Sequence, residues 1–185
     1  MNLQAFCDPT RQTTKEPWSA GAYTYATDGK VCIRVARKDD VPEKSGVPTQ
    51  KIDEWLSDGN LDQLAARRDL RPLPSVTLPK PKVTECERCN GRGVEHDCPE
   101  CGCECSLCQG VGNETQRIIV KCGGVMLTAG QWCRLASLPG IQIATQKNTN
   151  GHAWFEFEGG RGIASPVRYA QADDAVVDAN QQVPA

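Results

Sequence analysis

Seven of the eleven cysteines in this 185-residue chain fall inside one short segment: Cys86, Cys89, Cys98, Cys101, Cys103, Cys105 and Cys108. They spell three Cys-x-x-Cys pairs in a row, 86/89, 98/101 and 105/108. Two intervening residues let both sulfurs of a pair converge on one ion, and a glycine soon after allows the tight turn that points backbone N–H groups at the thiolates. Two such knuckles complete a tetrahedral site. Zinc suits four soft thiolates, and a segment almost devoid of large apolar residues could scarcely fold without a metal. Cysteine number alone leaves an iron–sulfur cluster open. A Cys-x-x-Cys redox centre is the other alternative, although no thioredoxin-like β-α-β context surrounds any of the pairs. Catalytic zinc wants histidine or carboxylate ligands and an open position, and the chain has only two histidines.

The outer pairs share the wording Cys86-Glu-Arg-Cys89-Asn-Gly91-Arg-Gly93 and Cys105-Ser-Leu-Cys108-Gln-Gly110-Val-Gly112. This Cys-x-x-Cys-x-Gly-x-Gly pattern resembles the zinc-finger region of DnaJ-type co-chaperones. That family pairs its outermost repeats on one zinc, so the resemblance implies Cys86, Cys89, Cys105 and Cys108 as a first site. The middle pair departs from it: Cys98-Pro-Glu-Cys101-Gly is a rubredoxin-type knuckle with no fourth repeat to partner it. Cys103 could add a third ligand there and His96 a fourth, giving a second site and two Zn2+ in all. Between Glu85 and Arg117 seven acids face three bases, a balance of −4 before any thiolate is counted. Such a surface repels phosphate and favours a protein partner over nucleic acid for the module itself.

The elements that must present this module are legible on either side. Residues 21–26 and 31–36 alternate like strands about Thr27-Asp28-Gly29-Lys30, a hairpin signal. Ile52, Trp55 and Leu56 recur at helical spacing, continued by Leu61, Leu64 and Ala65 after Gly59. Four prolines between 71 and 82 exclude a helix or a central strand and read as an extended linker. Beyond the cysteines, residues 117–122 and 125–127 read as strands, Thr128 caps a helix over 129–138, and 141–146, 153–158 and 162–168 read as three further strands. The C-terminal half is thus β-α-β-β-β-like, and the expected fold class is α+β: an antiparallel sheet domain with two helices, interrupted by a small zinc-binding module. The expected division is 1–81 and 117–169 for the two halves of the main domain, 82–116 for the insertion and 170–185 for a flexible tail. Cys7, Cys32, Cys122 and Cys133 are expected as buried small apolar residues.

Tyr25-Ala-Thr-Asp-Gly-Lys30 and Gly162-Ile-Ala-Ser-Pro-Val-Arg168 are similar to the hairpin and closing strand of bacterial DNA sliding-clamp domains. That resemblance implies a setting in DNA metabolism and, because one domain cannot close a ring, either a ring-like homo-oligomer or the clamp fold borrowed for another purpose. Lys51, Arg67, Arg68 and Arg134 are the helical cations that DNA would meet. Net charge is −2, so no overall basic field supports nucleic-acid or membrane binding. Residues 1–6 have no secretory pattern and no window is apolar enough for a span, which implies a cytoplasmic protein with no membrane association. The expectation is therefore a non-enzymatic zinc-binding adaptor that docks on a protein partner, with DNA as a further partner. The alternatives are a DnaJ-like chaperone-type binder of unfolded protein, lacking the His-Pro-Asp motif of the J domain, and a thiol redox or metal-dependent enzyme.

Overall fold

The computed structural model describes residues 1–47, 49–56, 69–94, 103–147 and 151–181. A hairpin sets the first register. β2 (Tyr23–Thr27) pairs antiparallel with β3 (Val31–Ala36), and β1 (Trp18–Ala20) adds to the free edge of β2. The turn is held by Asp28, whose Oδ1 accepts the backbone N–H groups of Lys30 at 2.8 Å and Val31 at 2.7 Å. Gly29 occupies the left-handed region with φ 84°, where a side chain would be strained.

The C-terminal half supplies β7 (Ile118–Cys122), β8 (Val125–Thr128), α2 (Ala129–Ala136), β9 (Gln142–Lys147), β10 (Ala153–Phe157) and β11 (Gly160–Ala164). β3 and β11 pair along their full register, from Gly160 opposite Val35 to Ala164 opposite Val31, and this seam joins the two halves of the chain. Gly162 is required at the seam, because a Cβ there would lie 2.3 Å from both the Cys32 carbonyl oxygen and the Phe155 ring. The resulting seven-stranded antiparallel sheet runs β1-β2-β3-β11-β10-β9-β4, where β4 (Leu70–Pro72) is the last strand. Pro72 is tolerated because β4 is an edge; the proline-rich linker therefore begins as a strand and is extended only after it.

Alternation along the strands sends side chains to two cores. Val31, Ile33 and Val35 pack with Val120, Leu127, Trp132, Leu135 and Phe155 on one face, beneath α2. Tyr25, Cys32, Trp154 and Ile163 pack on the other face with Ile52 and Leu56 of α1 (Thr49–Leu56). Arg34 fixes α1 in place. Its guanidinium reaches Asp53 Oδ1 at 2.8 Å and donates to the Leu56 carbonyl at 2.6 Å. The Tyr25 hydroxyl donates to the same Asp53 oxygen at 2.6 Å. The residues expected to continue this helix, Leu61, Leu64 and Ala65, lie outside the described ones.

α2 begins with a full capping box: Thr128 accepts from the Gln131 N–H at 3.2 Å and the Gln131 side chain accepts from the Thr128 N–H at 2.9 Å. Two expectations are corrected here. Cys133 is exposed rather than buried, because α2 buries Gln131, Trp132 and Leu135 and turns Cys133 outward; Cys7, Cys32 and Cys122 are buried. Residues 170–181 do not form a loose tail, since β12 (Ala175–Asp178) pairs parallel with β7 and completes a second sheet, β12-β7-β8. Ala179 is buried, and the Asp174 carboxylate takes two hydrogen bonds from Arg117 at 2.9 and 2.6 Å. Polar composition hid a four-residue edge strand that needs little apolar surface. The fold is α+β with mostly antiparallel sheets, and β5 (Val83–Glu85) and β6 (Asn113–Thr115) form a separate two-stranded ribbon leading to the cysteines.

Candidate metal centre

The β5–β6 ribbon brings the chain back to its starting point, with Val83 opposite Thr115 and Glu85 opposite Asn113. Two knuckles of the same shape stand on it, related by a shift of 19 residues. Each places a non-glycine residue in the left-handed region directly after its second cysteine, Asn90 at φ 48° and Gln109 at φ 53°. Glycines at φ 74° to 82° follow in both. These turns aim backbone N–H groups at sulfur: Gly93 donates to Cys89 Sγ at 3.3 Å and Gly112 to Cys108 Sγ at 3.2 Å. The knuckles also lock each other reciprocally, the Cys86 N–H on the Gly112 carbonyl at 2.9 Å and the Cys105 N–H on the Gly93 carbonyl at 2.8 Å.

The sulfurs of Cys86, Cys89, Cys105 and Cys108 all lie within 4.8 Å of one another and form a buried group of their own. Cys86 and Cys105 are 3.8 Å apart at Sγ, and Cys89 and Cys108 are 3.6 Å apart. A tetrahedron of thiolates at about 2.3 Å from a central ion has edges of about 3.8 Å. The box is therefore sized for one ion; a cluster that carries its own sulfides needs its thiolates further apart. Among the described residues the four thiols form a buried cluster of their own, joined to no apolar core, and four thiolates so close would repel one another without a cation between them. The sulfurs are already differentiated. The N–H groups of Cys108 and Leu107 draw the Cys105 thiol down to about 7, while burial pushes Cys86 and Cys108 up.

This quartet is the set that the DnaJ-type resemblance pairs on one ion, and it could hold one metal ion. Cys103 is exposed and stands outside it. His96, Cys98 and Cys101 lie outside the described residues, as do Arg67 and Arg68. Of the remaining cations expected to face DNA, Arg134 is engaged by Asp28 Oδ2 at 2.6 Å, and Lys51 stands 5.4 Å from the centre of the Trp55 ring. The reciprocal N–H contacts between knuckles were not deducible beforehand, although the 19-residue repeat of Cys-x-x-Cys-x-Gly-x-Gly was their signal. No helix among the described residues is long and apolar enough to cross a membrane. Compared with protein-family models, curated proteins and solved structures, the chain gives no match, so neither the DnaJ-type nor the clamp resemblance gains support from that side.

Proposed function

We propose that Cys86, Cys89, Cys105 and Cys108 hold one structural Zn2+, and that the module so closed is the docking element of a non-enzymatic adaptor. The observation that carries this reading is the sealed box of four thiols: every donor is a sulfur, all four are buried, and none of the coordination positions is left for water or substrate. Burial also argues against thiol exchange, which needs an accessible thiolate. The module turns unlike faces outward. On the second knuckle Leu107 and Val111 are 53% and 72% exposed, whereas the first knuckle carries Arg88 and Arg92 at the equivalent positions. An apolar tip on an acidic module suits a protein surface, and the main domain serves as its rigid mount.

Chaperone-type binding of unfolded chains is the second reading, favoured by the same two exposed side chains. A clamp-like role beside DNA is the finer version of the first; the segments that carry the clamp resemblance, β2–β3 and β11, lie side by side in one sheet. Cross-linking mass spectrometry of the tagged protein in its native cells tests the adaptor reading. A single partner cross-linked to residues 83–115, lost in Leu107→Asp/Val111→Asp and in the metal-depleted protein, is the expected result. Suppression of client aggregation by the wild type, equally lost in that variant and without a single partner, would replace it with the chaperone reading.

A further inference from the structure

Away from the metal module, two cavities share Lys30 and Ser165 as a common wall. The larger, about 410 Å3, lies between the start of α2 and residues 165–171, and Arg117, Arg168 and Tyr169 line it. The smaller, about 250 Å3, is walled by Thr14, Cys32, Ile52, Trp55 and His152. Trp55 and His152 line only the smaller cavity and Arg168 and Tyr169 only the larger, so this pair of adjoining cavities, taken together as one groove, sets an aromatic pair on one side of Lys30 and Ser165 and a cation and a second aromatic ring on the other. Trp55 and His152 pack with ring centres 5.4 Å apart and their planes tilted by 49°. Tyr169 is 69% exposed.

The charge is one-sided. Among the described residues no Asp or Glu lines either cavity, in a chain whose net charge is −2. Arg117 is neutralised by Asp174, but Lys30 and Arg168 carry no ion pair among the described residues. By contrast, the cavity beside Arg34 and Arg161 includes Glu156 in its wall, and Asp53 pairs with Arg34.

We propose that this groove binds a phosphorylated nucleoside, with a base stacked on Tyr169 and phosphate held by Lys30 and Arg168. Aromatic faces separated by unpaired cations are the combination that single-stranded nucleic acid and nucleotides recognise in common. The free mononucleotide and the single strand are two sources of that chemistry. Fluorescence anisotropy with a labelled oligothymidylate of about ten residues, and separately with a fluorescent ATP analogue, tells them apart. The variants are Tyr169→Ala and Lys30→Ala/Arg168→Ala, all at exposed positions, with thermal melts to show that each remains folded.

Micromolar binding of at least one probe is expected at about 50 mM salt, with log K falling against log salt at a slope of about −1.4 for two phosphate contacts. The double variant flattens that slope and weakens binding about tenfold or more. Tyr169→Ala weakens it about five- to hundredfold. Binding of the oligonucleotide alone assigns the groove to single strands, and equal binding of ATP assigns it to one nucleotide. Cys86→Ser leaves binding intact. Failure of both probes to bind below about 100 µM, binding unchanged in the folded variants, or binding abolished by Cys86→Ser overturns the proposal.

Discussion

Two glycines of the second knuckle separate backbone strain from steric exclusion. Gly110 and Gly112 have nearly the same φ, 82° and 81°, so alanine at either place meets the left-handed penalty of about 1–2 kcal/mol. Their surroundings differ. The nearest atoms to a Cβ on Gly110 belong to the exposed Glu104 side chain, at 3.3 Å and beyond, which can move aside. A Cβ on Gly112 would stand 2.3 Å from the Gly91 carbonyl oxygen, a backbone atom of the other knuckle. Relieving that contact adds about 1–3 kcal/mol by analogy with overpacking, and it disturbs the Gly112 N–H bond to Cys108 Sγ. Because the module folds with its metal, the penalties read out as affinity, tenfold per about 1.4 kcal/mol. Gly110→Ala should weaken metal binding about five- to thirtyfold and Gly112→Ala about thirtyfold to a few thousandfold. Competition titration against a chromophoric zinc chelator measures both. Equal losses in the two variants, or a larger loss in Gly110→Ala, would refute the proposed interlock of the knuckles.

Three further outcomes are expected. Thr128→Ala removes the N-cap of α2 and should cost about 1 kcal/mol in urea unfolding, whereas Gln131→Ala should cost more, because it also removes the 2.9 Å bond to the Ser165 carbonyl from a buried side chain. Truncation after residue 170 strips β12 from β7 and removes Ala179 from the main core, and should lower the melting temperature by several degrees as about 1–3 kcal/mol is lost; an unchanged melt would mean that β12 contributes nothing in solution. Burial works to raise Asp28, but the N–H groups of Val31 and Lys30 and the Arg134 guanidinium outweigh it and hold the carboxyl below its ordinary 3.8. Its contribution to stability is therefore present in full above that value and lost as pH falls through the folded pKa. Asp28→Asn should be less stable than the parent at neutral pH, with the gap closing in unfolding curves taken below pH 3.8; a gap that widens in acid would reverse the sign of this coupling.

The chemistry-bearing residues were legible because metal ligation dictates their spacing, and two residues between cysteines with glycines at fixed offsets leave few geometries. The hairpin about Asp28-Gly29 and the helix after Thr128 were legible for the same reason, since a turn residue and a cap each state a local backbone conformation. β12 was not, because Ala175–Asp178 is short, half-exposed and held by pairing to a strand far away in sequence. Cys133 was misplaced because helix phase, rather than residue type, decided its exposure. The groove between Trp55 and Tyr169 left no trace at all: its walls come from α1, the turn before β3, β3 itself, His152, β11, the segment after β11 and the start of α2, which are far apart in sequence and meet only in the fold.

One zinc held by the quartet is the foundation of the proposed function, and metal content per chain tests it most directly. Elemental analysis of the purified protein should find zinc, with the Cys86→Ser/Cys108→Ser variant holding one ion fewer while its main domain retains the same melt. A variant that keeps the full metal content, or a parent that contains iron or no metal, would contradict it.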